Sequence, residues 1–252
     1  MAKNVIAVLN QKGGVGKTTT TINLAAYLAK SGHRVLIADA DPQGNSSSGL
    51  GLDKQGLKST LYDVLFSRAD LNSATLKVNP KLFILPSNAN LAGAEVELVN
   101  QPDRELALRQ ALAAADYDYV LIDCPPSLGL LTVNALAAAN SVLIPVQAEY
   151  YALEGLSQLL NVVQQVRQAL NPGLDILGVL ITLYDSRNSL AGQVKGELEK
   201  YFGAKLFETV VPRNVRLAEA PSFGRTIIEH DKWSKGARAY KALAKEVEKR
   251  TV

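Results

Sequence analysis

Val5-Ile6-Ala7-Val8-Leu9 runs almost directly into Lys12-Gly13-Gly14-Val15-Gly16-Lys17-Thr18-Thr19, and a chain carrying that junction has few folds open to it. The first five residues are the short apolar, β-branched kind of run that forms a buried strand. Beyond the glycines, Ile22, Leu24, Ala25 and Leu28 recur at helical spacing as far as Gly32, so the glycines occupy a strand-to-helix turn. Glycine lets such a turn close tightly and bring consecutive backbone N–H groups against an anion, while the new helix adds its unpaired N–H groups and positive dipole end. The product is a phosphate cradle. In the general scheme for such loops, Lys17 reaches the β- and γ-phosphates of a nucleotide and the Thr18 hydroxyl ligates Mg²⁺. Gln11 stands where the general pattern has its first glycine, and a second lysine, Lys12, precedes the glycine pair.

Two further apolar runs end in carboxylates. Arg34-Val35-Leu36-Ile37-Ala38-Asp39-Ala40-Asp41-Pro42-Gln43-Gly44 is a second buried strand with two aspartates two residues apart. Alternation points both the same way, at the carboxyl end of a sheet where ligands of open α/β folds bind. One helix after a phosphate loop, Asp41 suits the positioning of an attacking water, with Asp39 nearer the metal shell or structural. Tyr119-Val120-Leu121-Ile122-Asp123-Cys124-Pro125-Pro126 delivers Asp123 from a third strand as an outer-sphere partner for Mg²⁺.

The rest of the chain alternates in the same way. Residues 59–67 read as a short capped helix, 82–86 as a strand, 91–115 as a helix split near Pro102, 129–139 as a helix and 141–146 as a strand. Helix 153–170, strand 177–183, helix 190–202, strand 206–211 and helix 234–250 follow. Asn45 to Asp53, small and polar with Gly44, Gly49 and Gly51 close by, reads as a mobile loop. That rhythm specifies a doubly wound, mostly parallel α/β sheet with helices on both faces. The 252 residues are enough for one such domain, 1–252, with 47% hydrophobic and 20% charged residues.

A single cysteine excludes a disulfide framework and a self-contained cysteine metal site, and Cys124 reads as a small buried apolar residue. No apolar run approaches the length of a membrane span. The net charge of +3 is unevenly spread: residues 185–252 hold 14 of the 27 lysines and arginines against nine of the 24 acids. Such asymmetry fits a polyanion-facing surface. In the last helix Tyr240, Leu243, Ala244 and Val247 make the packing face, and Lys235, Arg238, Lys241, Lys245 and Lys249 make a cationic stripe diluted by Glu246 and Glu248.

Taken together, the Lys12–Thr19 loop, Asp39-Ala40-Asp41-Pro42-Gln43-Gly44 and Leu121-Ile122-Asp123-Cys124-Pro125-Pro126-Ser127 resemble the deviant Walker-type ATPases, the ParA/MinD group. Three further segments resemble its chromosomal ParA (Soj) branch: Pro145 to Gly155, Thr182 to Arg187, and Val211 to Gly224. The resemblance runs nearly end to end. It implies an ATPase, slow alone and stimulated by a ParB-type partner, whose ATP-bound form is a sandwich homodimer on non-specific double-stranded DNA. Its ligands are ATP or ADP with Mg²⁺, and its place is the cytoplasm, on the nucleoid. The resemblance implies nucleotide contacts from Lys12, Gly13, Gly14, Val15, Gly16, Lys17, Thr18 and Thr19, with Pro212 and Asn214 at the adenine. It implies Thr18, Asp41 and Asp123 around the metal, and Lys12, Lys17 and Asp41 as catalytic residues. Lys12 matches the signature lysine that crosses the dimer interface to the partner's phosphates. Arg187 and Arg216 match residues that grip DNA without reading sequence, and Lys195, Lys235 and Lys245 are added to them.

Two other classes of protein share this frame. A membrane-cycling relative of the MinD type ends in an amphipathic helix with a bulky apolar face, which the alanine-rich stripe around Tyr240 and Val247 lacks, so no stable membrane association is expected. An iron–sulfur relative needs more cysteines than Cys124.

Overall fold

The computed structural model describes residues 2–149 and 152–251. The first half runs β1 (Asn4–Val8), α1 (Lys17–Lys30), β2 (Val35–Asp39), α2 (Asn45–Gly49), α3 (Leu61–Leu65), α4 (Leu71–Ala74), β3 (Leu76–Lys77), β4 (Leu82–Leu85), α5 (Ala94–Glu97), α6 (Ala107–Ala111) and β5 (Tyr119–Asp123). The second half runs α7 (Leu130–Ala138), β6 (Ser141–Gln147), α8 (Ala152–Ala169), β7 (Asp175–Tyr184), α9 (Ser189–Phe202), β8 (Leu206–Pro212), α10 (Val215–Glu219), α11 (Ile227–His230) and α12 (Lys235–Arg250).

The strands form one sheet in the order β3-β4-β2-β5-β1-β6-β7-β8. Every pairing is parallel except the edge pair β3–β4. Parallel strands need long crossovers, and the helices that supply them cover both faces. Alternation along β1 divides the core. Val5, Ala7 and Leu9 join the layer under α7 and α8, whereas Ile6 and Val8 join the layer under α1 and α12. Both faces of the central strands are therefore buried, which is why their sequences are continuously apolar instead of alternating.

The doubly wound sheet expected from the sequence is the one found. Three local expectations change. Residues 45–49 are not a mobile loop but α2, with Ser46, Ser47 and Gly49 buried, because the serine hydroxyls find carboxylate partners in the sheet. The 91–115 helix is broken into a 3-10 turn at Ala89–Gly93, α5, a second 3-10 turn at Leu98–Asn100 and α6. The antiparallel β3 was not foreseen, since two exposed residues carry no periodic signal. The capped helix at 59–67 is α3, closed by a Thr60–Asp63 capping box.

Candidate functional site

The Gly13–Gly16 turn leaves β1 at its carboxyl end and enters α1 at Lys17. Gly14 and Gly16 have φ of 74° and 88°, the left-handed region that glycine reaches without strain, and no atom lies within 4 Å of where a Cβ on Gly14 would stand. The loop is pinned from outside. Asn10 donates through Nδ2 to the Pro145 carbonyl at 2.7 Å and accepts from the Lys12 backbone N–H at 2.9 Å, and Thr182 donates to the Val15 carbonyl at 2.7 Å. Lys17 folds back so that its ammonium donates to the Lys12 carbonyl at 3.2 Å. Burial pushes the pKa of that ammonium down, opposed by Asp123, Cys124 and Asp41.

Register puts Asp39 opposite Asp123 at the ends of β2 and β5, and Val8 opposite Asp123 from β1. Both carboxylates are fully buried, and α2 supplies their donors. Ser46 Oγ donates to Asp123 at 2.7 Å, while Ser47 donates to Asp39 through Oγ at 2.7 Å and through its backbone N–H at 2.8 Å. The Thr18 hydroxyl also bonds Asp123. Burial raises the pKa of both aspartates above the usual carboxylate range, and the serine bonds oppose it. Asp41 behaves differently. β2 ends at Asp39, so alternation does not carry on to Asp41, whose side chain lines the open cleft and accepts from the Gln43 N–H at 2.9 Å. Asp39 is thus a structural carboxylate clamped to α2.

The cleft in front of the loop has a volume of about 500 Å³ and is bounded by the glycines, Lys17, Thr18, Thr19, Asp41 and, on the far wall, Pro221 and Arg225. That size is within the usual range for small-molecule sites. A smaller recess of about 100 Å³ opens beyond Gly16 and Thr19, lined by Thr182, Leu183, Asn214, Leu217 and Tyr240. Leu183, on its rim, has φ of 51°, a backbone conformation uncommon for a branched side chain. Asn214 caps α10, its Oδ1 accepting from the Leu217 N–H at 3.3 Å; Pro212 ends β8 just before it.

Among the described residues no group of three or more His, Cys, Asp or Glu side chains is arranged to hold a metal by itself. The donor set still suits Mg²⁺. Thr18, Asp41 and Asp123 offer only hard oxygen atoms, and Mg²⁺ characteristically takes one or two protein oxygens and fills its octahedron with phosphate and water. Cys124 is buried with its thiol pKa pushed up by burial, so it is no thiolate ligand.

Lys12 does not line its own cleft; its ammonium is half exposed and paired with Glu149, just past β6. Of the candidate DNA residues, Arg187 and Arg216 follow the carboxyl ends of β7 and β8, whereas Lys195 is on α9 and Lys235 and Lys245 are on α12, helices that pack on opposite faces of the sheet. Tyr184 pairs with Pro212, and the Arg213 N–H donates to the Tyr184 carbonyl at 3.0 Å, so the segments carrying Arg187 and Arg216 leave neighbouring strand ends. Both arginines are held on carboxylates: Arg187 grips Asp185 with two bonds of 2.9 and 2.7 Å, and Arg216 donates to Glu219 at 2.9 Å. Lys195 is 3.5 Å from Glu199. Lys235 and Lys245 are exposed on α12, ten residues and so about 15 Å apart along its axis.

The model of the family described as "AAA domain" matches residues 3–176. The chromosome partitioning protein ParA of Myxococcus xanthus is 54% identical over 98% of this chain and 88% of its own length. The sporulation initiation inhibitor protein Soj of Bacillus subtilis is 56% identical over 96% of this chain and 97% of its own. The chain belongs to the ParA/Soj family of chromosome-partitioning ATPases. Among solved structures, a cobyrinic acid a,c-diamide synthase from Mycobacterium smegmatis with bound ADP and magnesium matches with a TM-score of 0.85 at 39% identity, covering 97% of this chain and 93% of that one.

Several residues that build the site of this ParA/Soj chain are not marked in its sequence. Ser46 and Ser47 fall in the small, polar Asn45–Asp53 stretch, and nothing local announces that a serine will meet a carboxylate 77 residues away. The run Asn45-Ser46-Ser47-Ser48 directly after Asp-Pro-Gln-Gly was the available signal. Glu149 and Thr182 lie in segments that resemble the ParA (Soj) branch, whereas Asn10 and Arg225 carry no such signal. Of the ParA/Soj segment Pro145 to Gly155, Tyr150 and Tyr151 lie outside the described residues.

Proposed function

We propose that residues 1–252 act as one ATPase domain that binds ATP with Mg²⁺, closes into a sandwich homodimer on non-specific double-stranded DNA, and is released when a ParB-type partner stimulates hydrolysis. The observation that carries this is the placement of Lys12. A lysine inside the phosphate loop whose ammonium stays exposed and outside its own cleft is poised for a second subunit's phosphates.

The residues divide the work. Backbone N–H groups of Gly13 to Thr19 cradle the phosphates, and Lys17 neutralises the β- and γ-phosphates from within. Thr18 and Asp41 face the metal, with Asp123 behind them holding the Thr18 hydroxyl. Bound Mg²⁺ would neutralise charge on the transferring phosphate. Asp41, in the cleft and held by the Gln43 N–H, orients the attacking water. Lys12 of the partner subunit supplies the positive charge that an arginine finger supplies elsewhere. Asn214 borders the recess that receives the adenine, and Pro212 ends the strand two residues before it.

On dimerising, two copies of the Arg187, Lys195, Arg216, Lys235 and Lys245 surface combine, so phosphate contacts double and affinity rises steeply, falling again with salt. Hydrolysis splits the dimer, and rebinding elsewhere on the nucleoid moves chromosome or plasmid origins. No helix among the described residues is long and apolar enough to cross a membrane.

Light scattering on the eluting protein tests the switch. The expected result is a dimer with ATP and Mg²⁺, a monomer with ADP, and a monomer under both conditions for Lys12→Ala. Normal ATP-dependent dimerisation and partner-stimulated hydrolysis by Lys12→Ala would overturn the role given to Lys12.

A further inference from the structure

Trp233 is the chain's only tryptophan, and 77% of it is exposed. It stands on the tight turn that enters α12, where Ser234 donates to the Asp231 carbonyl at 2.9 Å and caps the helix by accepting from the Ala237 N–H at 3.1 Å. Asp231 ties this turn to Arg216. Its Oδ1 accepts from the Trp233 N–H at 3.0 Å, and its Oδ2 lies 3.7 Å from Arg216 Nε. One carboxylate thus ties the backbone of Trp233 and the guanidinium of Arg216 to the same turn. Lys232 stands over the indole at 5.2 Å from its centroid, a cation–π contact that steadies the ring. Phe223, 63% exposed, stacks on His230 at 5.1 Å on the same segment.

From this arrangement we infer that Trp233 is a DNA-contacting side chain, seating its indole against the sugar–phosphate edge of the duplex beside Arg216. The inference rests on the DNA reading above and names a contact within it. Charge selects the occupant. Between residues 216 and 238 there are five lysines and arginines against three acids, and each acid is engaged: Glu219 and Asp231 by Arg216, Glu229 in the Thr226 cap. Arg225 lines the nucleotide cleft and Arg216 is paired with Glu219 and Asp231, which leaves Lys232, Lys235 and Arg238 exposed around the indole to meet a polyanion. The exposed apolar side chains of this stretch, Val215, Phe223 and Trp233, are interspersed in sequence with Arg216, Arg225, Lys232 and Lys235, a mixture that suits a polyanion better than the charge-depleted core of a protein interface. An indole offers a donor N–H for a phosphate or groove acceptor and a flat apolar face for the deoxyribose, contacts that require no sequence.

A single tryptophan makes the test direct in the unmodified protein. Its emission and its quenching by acrylamide are followed with ADP, with a non-hydrolysable ATP analogue and Mg²⁺, and with the analogue plus a random-sequence duplex, while polarisation of a labelled duplex reports binding independently. The expected result is strong protection of Trp233 only when the duplex is bound. Trp233→Ala should weaken duplex affinity about tenfold, with Trp233→Phe in between. The slope of log affinity against log salt should stay unchanged in Trp233→Ala, because no phosphate charge is lost, whereas Arg216→Ala should lower it by about two, one for each subunit of the dimer. If the duplex binds but acrylamide reaches Trp233 as before and Trp233→Ala binds like the parent, the inference is wrong and the DNA reading survives. Protection complete with the analogue alone would place Trp233 between two copies and also overturn it. A duplex that binds in no nucleotide state removes the DNA reading, and the inference with it.

Discussion

Ser46 and Ser47 do at close range what a loop cannot: they hold two buried carboxylates in place by direct donation, at 2.7 Å each. Removing one leaves a buried carboxylate short of a donor, so Ser46→Ala should lower stability by about 1–3 kcal/mol, read as a fall in the urea midpoint with an unchanged slope. Asp41 has no such duty. Asp41→Ala should bind ATP normally and unfold like the parent while hydrolysis falls about 10²–10⁴-fold, measured as phosphate release in a single turnover. An equal loss of nucleotide affinity would assign Asp41 to binding instead. The division between these residues also marks what a sequence discloses. Lys17, Thr18, Asp41 and Asp123 could be named in advance, because each follows a buried strand or a glycine turn that fixes where it emerges. Ser46, Asn10 and Arg225 could not, because their partners are set by how the strands stack and not by neighbours along the chain.

Between elements, α12 is joined to α1 at the point where the phosphate loop ends. Tyr240 is buried against α1, and its hydroxyl lies 3.1 Å from that of Thr20, one turn past Lys17. Tyr240→Phe should cost about 1 kcal/mol and Tyr240→Ala about 3–5 kcal/mol of unfolding free energy. A second join lies between the α2 exit and the turn before α11. Gly224 has φ of 62°, and a Cβ there would lie 2.6 Å from the Gly51 Cα, so the two backbones pack directly on each other. Gly224→Ala should therefore destabilise by about 1–3 kcal/mol, visible as a lower melting temperature. The long elements were legible because continuous apolar strands and 3.6-residue periodicity are strong signals. α2, the broken 89–111 segment and β3 were not, being too short for periodicity and shaped by tertiary contacts.

For the whole molecule, one sheet places the phosphate loop, the aspartates and the ends of β7 and β8 along its carboxyl edge, so the nucleotide cleft and the basic edge share a scaffold. The excess of basic residues in the last quarter foreshadowed that edge, while the tethering of Arg187 and Arg216 by Asp185 and Glu219 needed the structure. In the proposed DNA-bound state a duplex has to displace those carboxylates, which take up cations when freed and so partly offset the salt sensitivity expected of phosphate contacts. The most direct measurement is binding of the protein to a random-sequence duplex at low and moderate salt, with no nucleotide, ADP, ATP, and ATP with Asp41→Ala. Binding that appears only with ATP, is strongest in Asp41→Ala and falls with salt is the expected result. An ATP-dependent dimer that ignores DNA at low salt would contradict it and leave the basic edge a solvated surface.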